Sequence, residues 1–83
     1  MRSGSEEFDR VKSVIAGRVR QLRQERGLSQ EELADRAGCH RTYVGMLERS
    51  LGNPSLAVLA SLADALGVAL GELVGGPPAR PRS

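Results

Sequence analysis

The chain has 83 residues, a net charge of +2, a single cysteine and 2% aromatic residues, which bounds it to one small domain without an internal disulfide. A core this small is marginal alone, so support from a partner is expected, and the lone thiol fits a reducing compartment, the cytoplasm. No apolar run is long enough to cross a bilayer, and the opening MRSGSEEFDR lacks the apolar middle of a secretory signal, so neither a membrane role nor export is indicated.

Apolar residues recur at helical rather than alternating spacing, and the pattern predicts an all-α chain of five helices. Residues 1–6 are expected to be a disordered lead-in. The first helix covers about Glu7 to Arg26, with Phe8, Val11, Ile15, Val19 and Leu22 on one stripe and Gly27 as its stop. Ser29 then caps a second helix, and Glu32 three residues on completes a capping box. Leu33, Ala34 and Ala37 form its buried side, and Gly38 ends it in the left-handed conformation that only glycine adopts at little cost.

A third helix covers Arg41 to about Arg49, with Val44 and Leu47 facing the core. SLGNPS is a loop, and Ser55 caps a fourth helix whose stripe is Leu56, Leu59, Leu62, Ala63 and Leu66. Gly67 closes that helix, and a fifth spans about Leu70 to Val74. From residue 76 to 83 the proline- and arginine-rich stretch reads as a flexible tail.

Charge is unevenly spread. Arg10 to Arg49 holds nine basic residues against five acids, whereas Ser50 to Gly76 has only Asp64 and Glu72. The first half is therefore the part suited to a polyanion. No paired carboxylates, nucleophile–base set or metal-ligand cluster is present, so the reading is not an enzyme and includes no metal, cofactor or small-molecule ligand.

Helices two and three, joined by a short turn opening on glycine, have the outline of a helix-turn-helix. In that arrangement the second helix enters the DNA major groove with its N-terminal residues at the base edges, while the first crosses the backbone. Small Ala34 and Gly38 let the two helices approach closely. The combination of GLSQEELA, a glycine turn, ER, NPS and LADALGV over roughly residues 15 to 75 resembles the DNA-binding domain of the Cro and phage-repressor family, of the xenobiotic-response-element type. HRTYVGMLER is also similar to restriction–modification controller proteins.

The resemblance implies a five-helix domain, which with the whole of the first helix is placed over residues 7–75, and a transcriptional regulator that binds a pseudo-palindromic operator in double-stranded DNA as a homodimer. It places Arg41, Thr42 and Met46 at base-reading positions and Gln30 at a phosphate. It also implies an internal ion pair of Arg23 with Glu48. Val68, Leu70 and Val74, apolar and short of room in so small a core, are assigned with helix five to the dimer interface. The chain departs from the family pattern at the neutral loop Ser50 to Gly52, at Gly45 within the recognition helix, and at Ala69, where a capping serine is common.

Chemistry of the single residues leaves some roles open. Arg41 suits bidentate bonding to guanine, and Thr42 either meets a base or is a plain first-turn residue. Met46 touches a thymine methyl or fills a gap. Tyr43 packs or gives its hydroxyl to a phosphate, and His40 and Asn53 cap helices or meet phosphates. Arg49 joins the phosphate set, and Arg18, Arg20, Arg26 and Arg36 divide between backbone contact and solvated surface. Cys39 at a helix N-terminus invites a redox reading through a lowered pKa, but packing in a tight turn is the reading adopted. The alternative function is an antitoxin-like module that binds a partner protein as well as DNA, with the tail as its contact.

Overall fold

The computed structural model describes residues 2–75, with side chains from Glu6 onward, and within them the fold is all-α. Five helices follow in order: α1 (Arg2–Glu25), α2 (Gln30–Ala37), α3 (Arg41–Glu48), α4 (Leu56–Leu66) and α5 (Leu70–Val74). α2 packs on α3 and α4, while α1 packs on α5 and α3.

The ends of the helices follow from local chemistry. Ser29 Oγ accepts from the Glu32 backbone N–H at 2.9 Å, and Glu32 Oε1 accepts from the Ser29 N–H at 2.8 Å, closing the capping box. The Ser29 backbone N–H, and after it the Ser29 hydroxyl, holds the Glu32 carboxyl below its ordinary range. Gly38 ends α2 at φ 75°, a left-handed conformation that turns the chain directly into α3. Ser55 Oγ accepts from the Val58 N–H at 3.1 Å to start α4, whereas Ala69 offers α5 no side-chain cap.

The core gathers Ile15, Val19 and Leu22 of α1, Leu33 and Ala34 of α2, and Val44 and Leu47 of α3. Leu59, Leu62, Ala63 and Leu66 of α4 and Leu73 of α5 complete it, with Leu28 entering from the α1–α2 link. Each fully buried leucine, Leu33, Leu62, Leu66 or Leu73, contributes about 1.5–3 kcal/mol relative to exposure.

Several expectations are corrected. α1 starts at Arg2, so backbone expected to be disordered through residue 6 is helical. No proline interrupts that stretch, and extending a formed helix is cheap once its nucleus is packed. At 24 residues α1 is about 36 Å long, well beyond the helices of 5 to 11 residues that pack against it. Its N-terminal turns therefore overhang: Phe8 is exposed, with Lys12 Nζ 5.2 Å from its ring centroid, and Val11 is half-buried. Leu56, assigned to the buried stripe of α4, is 71% exposed because it opens the helix, a turn before Leu59, its first buried core residue. Ala37 is half-buried. The tail of residues 76–83 lies outside the described residues.

Two arginines read as possible DNA contacts hold the fold instead. Arg26 Nε donates to the Leu66 carbonyl at 2.6 Å, a cation on the unpaired C-terminal end of α4. Arg18 Nε donates to the Glu72 carbonyl at 3.3 Å and so ties α1 to α5. No helix among the described residues is long and apolar enough to cross a membrane.

Candidate nucleic-acid interface

α3 is eight residues long and two-sided. Val44 and Leu47 are buried in the core, while Arg41 and Thr42 are exposed. Its N-terminus is set by His40, whose Nδ1 accepts from the Thr42 N–H at 3.1 Å. The His40 side chain thus serves as the helix cap, the first of the two roles left open for it.

Between the start of α2 and the exposed side of α3 runs an open cleft of about 810 Å³. α3 contributes Arg41, Thr42 and Gly45, with Arg49 just past its end; α2 contributes Gln30 and Glu31; α1 contributes Arg20 and Arg23. Four arginines face Glu31 on the lining and Glu48 beneath it, which leaves the cleft with an excess of positive charge. Arg41 Nη1 lies 3.7 Å from Glu31 Oε1, with both side chains exposed, and Arg49 Nε donates to the Gly45 carbonyl at 3.2 Å.

Beneath the cleft sits the one buried charged residue among those described, Glu48. Arg23 grips it with two hydrogen bonds, Nε to Oε2 at 2.7 Å and Nη2 to Oε1 at 2.9 Å, and also donates from Nη1 to the Leu28 carbonyl at 2.8 Å. The side chains are 12% and 0% exposed. The hydrogen bond to Glu48, outweighing the effect of burial, holds the Arg23 guanidinium more firmly protonated than usual. Gln30 Nε2 adds a third hydrogen bond, to Glu48 Oε1 at 3.1 Å, and Arg20 Nε lies 3.8 Å from the same oxygen. One carboxylate thereby joins α1, α2 and α3.

Of the residues assigned to DNA, the cleft brings together Gln30, Arg41, Thr42 and Arg49. It does not include Met46, Tyr43 or Asn53. These three line a neighbouring cavity of about 30 Å³ with Leu47, Leu51, Gly52 and Pro54, under the α3–α4 loop. Met46 and Tyr43 thus pack beside the loop, though Met46 keeps 38% of its surface exposed. The loop leaves α3 through Ser50 at φ 60°, a left-handed conformation unusual for a non-glycine residue. Val68, Leu70 and Val74 are half-buried against the core rather than freely exposed.

Cys39 is partly buried, and that burial pushes its thiol pKa up, against the lowered value a redox switch needs. No group of three potential metal-ligating side chains occurs among the described residues. Sequence reasoning did not find Glu31 as a wall of the cleft, nor the link from Gln30 to Glu48. Arg20 was legible only as one of several possible contacts, although its place three residues before Arg23 puts the two on one face of α1.

The helix-turn-helix family model matches residues 19–73. The control protein C.SmaI of Serratia marcescens is 42% identical over 67 residues, 81% of this chain and 80% of that protein. The restriction–modification controller C.AhdI of Aeromonas hydrophila superposes with a TM-score of 0.72 at 44% identity, covering 75% of this chain and 94% of that one. SinR, the master regulator of biofilm formation, solved in complex with DNA, matches with a TM-score of 0.68 at 38% identity over 71% of this chain and 95% of that one. With its five helices, its glycine turn and its electropositive cleft in that register, the chain belongs to the helix-turn-helix family of Cro- and phage-repressor-type DNA-binding transcriptional regulators.

Proposed function

We propose that the chain binds a pseudo-palindromic operator in double-stranded DNA as a homodimer, with α3 of each subunit in the major groove. The observation that carries this reading is the cleft itself. It sets exposed Arg41 and Thr42, at the N-terminus of α3, beside Gln30, Arg20 and Arg49. Arg41 and Thr42 read base edges, and Gln30 and Arg49 meet phosphates on either side. His40 caps α3 through Nδ1, and its exposed Nε2 remains available to a phosphate. Met46, on the flank, has its exposed side available to a thymine methyl. Tyr43 and Asn53 set the height of the α3–α4 loop near the phosphates.

A single short helix reads few base pairs, so specificity needs two. The half-buried Val68, Leu70 and Val74 leave part of an apolar surface at α5, and a second copy covering it joins two readers. The test is selection of bound sites from random duplexes, combined with sedimentation. The expected result is a two-fold symmetric site with half-site centres roughly 34 Å apart and a dimer in the complex. A monomer at high micromolar concentration that selects single half-sites overturns the dimer reading. Binding that falls steeply with salt is expected of the cleft, and binding to a partner protein with no salt-sensitive DNA affinity favours the antitoxin-like alternative.

A further inference from the structure

We infer that Glu48 is a positioning residue for DNA binding: through the Gln30 amide, the buried ion pair sets the one donor that Gln30 presents to the phosphate backbone. The inference rests on the proposed contact of Gln30 with a phosphate and adds what orients it. Gln30 is half-buried at the wall of the cleft, and its Nε2 donates to Glu48 Oε1 at 3.1 Å. A carboxylate oxygen only accepts, so the amide must turn its nitrogen toward Glu48. That leaves Nε2 with one further N–H and sends Oε1 toward α3.

The recognition helix has a glycine where Oε1 lies: a Cβ at Gly45 would stand 3.4 Å from that oxygen. A Cβ there already reaches contact distance, so glycine leaves the amide room against the helix. Gly45, read in the sequence as a lost base contact, is thus the place where the amide rests on α3. Glu48 is itself held by two hydrogen bonds from Arg23 and is wholly buried, so the platform under Gln30 is rigid. A free glutamine amide points its donors in many directions and loses that freedom when it meets a phosphate. An amide already held on one side loses less, which is the gain from preorganisation.

The test is a double-mutant cycle read in DNA affinity, on the selected operator and on a random duplex. Gln30→Ala is expected to weaken both by about tenfold, because a phosphate carries no base identity. Glu48→Gln leaves one uncharged acceptor oxygen where Arg23 and Gln30 shared two charged ones, and so loosens the hold on the amide; it is expected to weaken binding by about fivefold beside Gln30 and by less than about twofold beside Gln30→Ala. If Gln30→Ala leaves affinity unchanged, the phosphate reading of Gln30 fails. If Gln30→Ala weakens binding but the loss from Glu48→Gln is the same in both backgrounds, the positioning role alone fails. Should Glu48→Gln not fold, the side-chain amide protons of Gln30 in the native chain decide by NMR. One proton protected from exchange and one at the solvent rate supports the platform, and two protons at the solvent rate overturn it.

Discussion

Two arginine–glutamate pairs meet at the same cleft, one at its floor and one at its rim, and burial makes them different objects. Arg23 and Glu48 at the floor are 12% and 0% exposed and joined by two short hydrogen bonds. Arg41 and Glu31 at the rim are 67% and 72% exposed and 3.7 Å apart. At the floor each charge has given up water and depends on its partner, so the pair acts as a structural joint. Water screens the rim pair, whose worth is about 0–1 kcal/mol, so Arg41 can leave Glu31 for DNA at little cost. The same chemistry thus fixes the scaffold in one place and leaves the proposed reader free in the other.

The strongest way to break this comparison is to remove one acid from each pair. Glu48→Ala strands Arg23 and is expected to cost about 3–5 kcal/mol in urea denaturation. Glu31→Ala is expected to change stability by less than about 0.5 kcal/mol. Equal shifts in the two variants would mean that burial does not separate the pairs. On DNA the order reverses for the rim: removing Glu31 takes a carboxylate away from the phosphates. Glu31→Ala is expected to tighten binding to random duplex by a few-fold, most at low salt, as measured by fluorescence anisotropy across a salt series.

Smaller effects sharpen the contrast between the rigid floor and the adjustable exterior. Ser50 holds a left-handed conformation at the exit of α3, at a cost of about 1–2 kcal/mol for a residue with a Cβ. Ser50→Gly is expected to raise stability by up to about 1 kcal/mol, as measured by thermal melting. The Glu32 carboxyl, held below its ordinary range by Ser29, is expected to show the smallest effect. A depressed folded-state pKa means that its contribution is complete above the ordinary carboxylate range and disappears as pH falls through the folded value. Glu32→Gln keeps a capping side chain without that titration, so the gap between native and variant stability should narrow on acidification. A gap constant across the acid range would contradict the assignment.

Local interactions were legible in the residues, and distant ones were not. The capping box of Ser29 and Glu32, the cap at Ser55 and the left-handed glycines 38 and 67 act within four residues, so spacing alone identifies them. α5 was placed correctly from Leu70 to Val74. The pairing of Arg23 with Glu48 spans 25 positions and was anticipated through family resemblance rather than periodicity. Arg26 on the Leu66 carbonyl spans 40 positions and was left between a DNA-backbone contact and a solvated surface arginine, because only the packing of the end of α1 near the end of α4 brings the two together. The same limit hid the Gln30–Glu48 bond, which depends on how closely α2 approaches α3. Leu56 and Phe8 carried the right period but lay at helix ends, where the partner surface runs out, and periodicity does not report where a helix stops being covered.

The most direct test concerns Arg41, the proposed reader at the rim. Binding of the native chain and of Arg41→Ala is measured on the selected operator and on every single-base variant of it. Loss of about 1–3 kcal/mol per half-site, with discrimination relaxed at one base position and the fold intact, is the predicted result. Full discrimination retained at every position by Arg41→Ala would contradict the assignment of this cleft as the surface that reads DNA.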